Sequence, residues 1–169
     1  VRRNDRQVRE EGLAEHTILP PTETRFRPAT AEDVEILVSL CRELNEHDGT
    51  PFHEERHRPA IAELIAHPEW GRIFLIETGG EVAGYTVLAL GFSLEFGGRD
   101  AFLDELFVRA PFRKRGIGTE AMDYVSSLAQ SLGVRALHLE VERANLSAQE
   151  FYRKQGFKDH NRYLMTKWP

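Results

Sequence analysis

The sequence predicts one mixed α/β (α+β) domain, on three observations: amphipathic helical periods interleave with short β-rich runs, Gly-Gly pairs separate several of those runs, and 169 residues suffice for a single core. Residues 1–23 are polar, carry Pro20-Pro21 and show no sustained period, so they read as an extension ahead of a domain spanning 24–169. Residues 24–28 form a short strand candidate. Thr30 then offers a helix N-cap with Asp33 three residues on, and Val34, Leu37, Val38, Cys41 and Leu44 recur at spacings of three and four to build one apolar face. Residues 46–59 read as a charged, irregular loop. A second helix is expected over about 59–67, with proline in its first turn and Ile61, Leu64 and Ile65 together.

Residues 72–78 and 81–90 are β-rich and joined by Gly79-Gly80, which permits a tight hairpin turn. A second pair, Gly97-Gly98, precedes a strand over 101–108, so three strands form a meander. From Gly116 the period becomes helical, with Ile117, Ala121, Val125, Leu128, Ala129 and Leu132 on one face and Gly133 as the stop. Residues 136–141 read as a strand, 147–155 as a short helix closed by Gly156, and Phe157 with residues 163–167 as the last strand or two.

Composition excludes several classes of function. With 41% apolar and 29% charged residues the chain has no run long enough to cross a bilayer, so no membrane partner is expected. A net charge of -5 argues against a nucleic-acid partner. Cys41 is the sole cysteine, which excludes an intramolecular disulfide and a cysteine metal cage. Its neighbours Leu40 and Leu44 make it a core thiol, and the charged start lacks a signal-type apolar stretch, so a cytoplasmic setting is expected.

The chemistry-bearing pattern lies after the strand ending at Val108. Arg113-x-x-Gly116-x-Gly118 opens a long helix, so glycines that admit close backbone approach, a helix N-terminus with unsatisfied N–H groups, and the cations Arg113, Lys114 and Arg115 coincide. That combination suits a pyrophosphate. Gly116-x-Gly118-x-x-Ala121 imitates a dinucleotide fingerprint, but residues 109–115 separate it from the strand and too little chain follows for a doubly wound sheet. No Gly-Lys-Ser/Thr of a nucleoside-triphosphate loop occurs.

Leu103-Asp104-Glu105-Leu106-Phe107-Val108, then Arg113-x-x-Gly116-x-Gly118, then Asn145 with Ser147, Phe151-Tyr152 and Gly156-Phe157, resemble successive motifs of the GNAT superfamily of N-acetyltransferases. The resemblance covers residues 25–168, and the first and third motifs look most like the diamine acetyltransferase branch. It implies a central, mostly antiparallel sheet, splayed at the cofactor strand and flanked by helices. It also implies acetyl-CoA as cosubstrate and no metal. The pantetheine arm would lie along Leu106, Phe107 and Val108, and the amides of Lys114, Arg115, Gly116, Ile117, Gly118 and Thr119 would cradle the pyrophosphate with Arg113 adding charge. Asn145, with Ser147 beside it, would bind the arm or order the adjacent loop.

Attack on a thioester needs a neutral amine, and an ammonium has an ordinary pKa near 10.4, so a carboxylate should accept its proton. Asp104 and Glu105 are the candidates; strand alternation sends one to each face, which leaves open the one that meets substrate. Tyr152 matches the family's general acid for the departing thiolate. His53-Glu54-Glu55-Arg56-His57 fits His-Glu-x-x-His, yet its charged, proline-flanked context does not favour zinc hydrolysis. Glu46, Asp48, Glu54 and Glu55 would instead form an acidic rim attractive to amines. The expected activity is acetyl transfer to a primary amine of a small molecule by direct attack in a ternary complex. The rivals are a non-catalytic acyl-CoA-binding module, a protein or peptide N-acetyltransferase and a Rossmann-type oxidoreductase. Polyamine, amino acid, aminoglycoside and protein amines all stay open as acceptors, as does a homodimer.

Overall fold

A computed structural model describes residues 23–168; the extension expected over 1–23 lies outside the described residues except for Glu23. The elements run β1 (Thr24–Pro28), α1 (Val34–Asp48), α2 (Glu54–Ala66), β2 (Gly71–Thr78), β3 (Glu81–Ser93), β4 (Gly98–Val108), α3 (Ile117–Ser131), β5 (Ala136–Leu139) and α4 (Leu146–Lys154). One five-stranded sheet has the order β1-β2-β3-β4-β5. Every pairing is antiparallel except β4 with β5, which is parallel. The mixed α/β class and the meander expected from the sequence are both present.

Helices cover both faces. On one, Leu37, Val38, Leu40 and Cys41 of α1 and Ile61 of α2 pack on Ile73, Leu75, Tyr85, Val87 and Phe107. On the other, Met122 and Val125 of α3 meet Leu88, Ala101 and Leu103, and Ile117 and Ala121 meet Ile76 and Ala83. The entry to α1 carries the expected capping box: the Asp33 carboxylate accepts the Thr30 N–H at 2.7 Å and its hydroxyl at 2.9 Å. Arg27 grips the same carboxylate from β1 through Nη1 and Nη2, at 2.8 and 2.9 Å. Among the described residues, no helix is long and apolar enough to cross a membrane.

Three expectations about elements are corrected. The second helix begins at Glu54, not Pro59, so most of the stretch read as loop is the end of α1 and the start of α2. Glu54 and Glu55 in the first turn suit the positive end of the helix, and Pro59 sits inside it. Second, β5 stops at Leu139. Third, residues 157–168 contain no strand. A strand needs a ladder partner as well as a suitable sequence, and Tyr163, Leu164, Met165 and Trp168 stand exposed instead.

Candidate active site

β4 leaves its parallel partner halfway. Pairing with β5 runs from Asp100 opposite Ala136 to Leu103 opposite Leu139 and ends there, so residues 104–108 have a free edge. The opening follows from chain length, because β5 has only four residues. A free edge is a row of unpaired N–H and C=O groups able to bind an extended amide-bearing ligand. Leu106, Phe107 and Val108, the residues expected along a pantetheine arm, lie on it.

A β-bulge marks the same place. On β3, Val87 faces Glu105 and the next residue, Leu88, faces Leu103, so Asp104 is an extra residue without a cross-strand partner. The slip reverses the phase of the strand. Ala101 and Leu103 pack toward α3, whereas Phe107 packs toward α1 and α2, and Glu105 shares that second side. Glu105 thus lies on the side covered by α1 and α2, opposite to where unbroken alternation from Leu103 would put it.

Glu105 is held from beneath. The Tyr85 phenol donates to Oε2 at 2.6 Å, and the Cys41 thiol lies 4.0 Å from that oxygen. Burial raises the Glu105 carboxyl above the ordinary range; the Tyr85 hydrogen bond opposes this, Asp104 adds to it, His57 opposes it and Asp48 adds to it. Burial likewise raises Asp104 and pushes the Cys41 thiol up to about 11, consistent with a core thiol. Tyr85 escaped the sequence reading. Its signal was a phenol inside the apolar run Val82 to Leu88, which must find a polar partner when buried.

The loop after β4 folds as a cradle. A 3-10 turn, Ala110–Phe112, leads to Arg113, and Gly116 caps α3 with φ 85°, a conformation glycine adopts at no steric cost. Gly116 O accepts the N–H groups of Thr119 and Glu120 at 2.9 and 3.1 Å. The amides of Lys114, Arg115, Gly116, Ile117 and Gly118 have no backbone partner among the described residues. The Thr119 amide, grouped with them on the resemblance, is thus engaged inside the helix. Lys114 and Arg115 are exposed.

Arg113 behaves differently from its two neighbours. Its Nε donates to Val108 O at 2.7 Å and its Nη1 to His47 Nε2 at 3.3 Å, with the guanidinium over the Phe107 ring. It ties the loop to the end of β4 and to α1. Arg109 makes a parallel tie, donating to Glu43 of α1 through Nη2 at 2.5 Å and to Val82 O through Nη1 at 3.2 Å. Neither tie to α1 has a local sequence signal, since those partners are 66 residues apart.

α4 supplies the remaining candidates. Asn145 caps it, its Oδ1 accepting the Ala148 N–H at 3.0 Å; Ser147 is exposed in the first turn. Tyr152 packs edge-on to Phe151 and Phe157 in the cluster that also holds Leu103, Leu106 and Leu139, at the mouth of the β4–β5 opening. Burial raises its pKa, so the phenol keeps its proton.

The His-Glu-x-x-His segment has other employment. His53 is the N-cap residue of α2, His57 Nδ1 meets the His53 carbonyl oxygen at 2.8 Å, and Glu54 pairs with Arg42 and Arg58. Among the described residues no group of three or more His, Cys, Asp or Glu is placed to hold a metal.

A parallel-to-antiparallel sheet opened at β4, followed by a glycine cradle at a helix start, defines the class of acyl-CoA-dependent acyltransferases. Residues 37–157 match the model of the acetyltransferase (GNAT) family, and the chain belongs to that family. It is 28% identical over 143 residues to an aminoalkylphosphonate N-acetyltransferase of Salmonella typhimurium, covering 83% of this chain and 88% of the relative. It is 27% identical over 125 residues to a thialysine N-epsilon-acetyltransferase of Bos taurus, covering 72% and 67%. A solved integron cassette protein from the mobile metagenome of Cole Harbour Salt Marsh is 36% identical, with a TM-score of 0.75 over 85% of this chain and 89% of that one. Across its curated relatives the chain spans from 24% to 88% of their length. The protein is an acetyl-CoA-dependent N-acetyltransferase.

Proposed function

We propose that the acceptor is a primary amine of a small molecule and that Glu105 takes its proton. The carrying observation is a half-buried carboxylate beside the free edge of β4, on the face covered by α1 and α2, with its pKa raised by burial. Burial that raises a carboxylate's proton affinity makes it the stronger base. Two relatives named for thialysine and aminoalkylphosphonates support a small amine, and the likeness to the first fits the diamine-like motifs.

The chain's residues suit acetyl-CoA. Five consecutive amides without backbone partners, at a helix start flanked by Lys114 and Arg115, would hold its pyrophosphate, and Leu106 to Val108 would pair with its amide-bearing arm. When bound, it supplies the activated acetyl group. Glu105 then accepts the amine proton, directly or through water; Asp104 and Asp48 attract the cationic acceptor; Tyr152 holds a proton for the leaving side. Asn145 keeps the loop before α4 in place.

A thiol-release assay with acetyl-CoA against diamines, amino acids, aminoalkylphosphonates, aminoglycosides and lysine peptides tests this reading. Turnover with one or more small amines is expected. Turnover confined to peptides would replace the small-molecule acceptor with a protein one.

A further inference from the structure

We propose that Tyr85 is a positioning residue for the acetyl-transfer reaction, fixing the Glu105 carboxylate through Oε2 so that Oε1 serves as the proton-accepting atom. The proposal rests on the reading of Glu105 as the base.

Tyr85 is 1% exposed and stands on β3 two residues from Val87, the cross-strand partner of Glu105, so phenol and carboxylate share one face of the sheet. Both donors near the carboxylate address the same oxygen: the Tyr85 hydroxyl at 2.6 Å and the Cys41 thiol at 4.0 Å both point to Oε2. Among the described residues, these contacts to the carboxylate end on Oε2, not on Oε1. From the opposite face the hydroxyl of Thr86, itself fully buried, donates to the Glu105 carbonyl at 3.0 Å. Two consecutive residues of β3 therefore hold one residue of β4 by its carboxylate and by its backbone. They do so beside the bulge at Asp104, where the ladder is interrupted and the strand would otherwise have latitude.

Stability does not account for this arrangement. A phenol–carboxylate pair in an apolar cluster carries a desolvation cost that an aliphatic pair of similar volume avoids. The pair has instead a chemical effect. A hydrogen bond donated to the ionised form favours that form, so Tyr85 counteracts burial and the charges of Asp104 on β4 and Asp48 on α1, in the same direction as His57 on α2. The Cys41 thiol, from α1, is neutral in this range.

The test is the pH profile of kcat/KM for one accepted amine in the wild type and three variants. Tyr85→Phe keeps the ring volume, so acetyl-CoA affinity and fold should persist while the acid limb moves up by about one to two pH units, the worth of a hydrogen bond to a charged group. Below that limb the rate should drop by about ten- to a hundredfold, and at high pH most of it should return. 3-Fluorotyrosine placed at position 85 is a stronger donor of nearly the same size, and should move the limb down; it decides the matter even if Tyr85→Phe does not fold. Glu105→Gln should abolish the limb and cost about a hundred- to ten-thousandfold in kcat. If Glu105→Gln loses the limb while both changes at position 85 leave it in place, the role of Tyr85 is overturned and the base stands. If Glu105→Gln keeps both rate and limb, the base itself is wrong and the proposal falls with it.

Discussion

A methyl group added at Gly118 would meet the Phe151 ring at 3.6 Å, ordinary van der Waals contact. Gly118 also lies in helical backbone, so neither conformation nor neighbours within the chain require glycine there. On the proposed reading, what calls for glycine is a close approach from outside, by the phosphates of the cosubstrate. Gly118→Ala should leave the fold intact and stabilise the ligand-free protein by up to about 1 kcal/mol through helix propensity. Acetyl-CoA should then bind about tenfold more weakly, a change of about 1.4 kcal/mol. Thermal melts with and without CoA give both numbers, since a ligand of the native state raises Tm by mass action; NAD should produce no shift. Wild-type affinity in this variant would place the phosphates elsewhere.

Gly84 is the opposite case. A Cβ at that position would lie 2.0 Å from the Phe107 carbonyl oxygen on the neighbouring strand, and backbone cannot swing aside as a side chain can. Gly84→Ala should cost about 3 kcal/mol or more by forcing β3 from β4 at the strand that carries the site. Urea denaturation measures it; a loss under 1 kcal/mol would mean the two strands separate with little resistance.

Tyr152→Phe removes a proton donor without removing ring volume. With acetyl-CoA affinity unchanged, kcat should fall by about a hundred- to ten-thousandfold where chemistry limits the rate. Phe151→Leu, one residue away, should act on stability instead. Full kcat in Tyr152→Phe under those conditions would remove the tyrosine from the mechanism.

Asp33 joins β1 to α1. The Arg27 guanidinium, with Thr30 assisting, holds its carboxyl far below the usual carboxylate range against the opposing effect of burial. A depressed folded pKa means a stabilisation present above the unfolded value, near 3.9, and lost as pH falls through the folded one. Asp33→Asn should therefore cost about 1–2 kcal/mol at pH 7, with the deficit shrinking below about pH 4. A deficit that stays constant down to pH 2 would show that charge contributes nothing.

The sequence made the meander, α1, α3 and the cradle legible because each rests on local signals: the 3.6-residue period of Leu37, Val38 and Cys41, the turn at Gly79-Gly80, the glycines on either side of Ile117. Where long-range packing decides, the reading failed. Pro59 resembles a helix start, yet α2 already begins at Glu54. Residues 163–167 have strand composition but pair with no strand among the described residues. The bulge at Asp104 shifts a phase that alternation alone predicts to continue, and so the face of Glu105 could only be seen once β3 lay beside it. The contacts of Tyr85 with Glu105, Arg109 with Glu43 and Arg113 with His47 span 20 to 66 residues, and no short window along the chain contains both ends.

The unpaired stretch of β4 also bears on how the protein behaves in company. A bare strand edge recruits any extended polypeptide, including its own copies, and such edges are a common origin of aggregates. Here the bulge bends the edge at Asp104, the paired acids repel an approaching acidic chain, and the short run from Leu106 to Val108 offers too few ladder positions for a second sheet to grip. A slender, amide-bearing arm suffers none of these penalties. The distortion that opens this stretch of β4 also makes it a poor template for a second sheet, and the cosubstrate, seated there as proposed, would cover it.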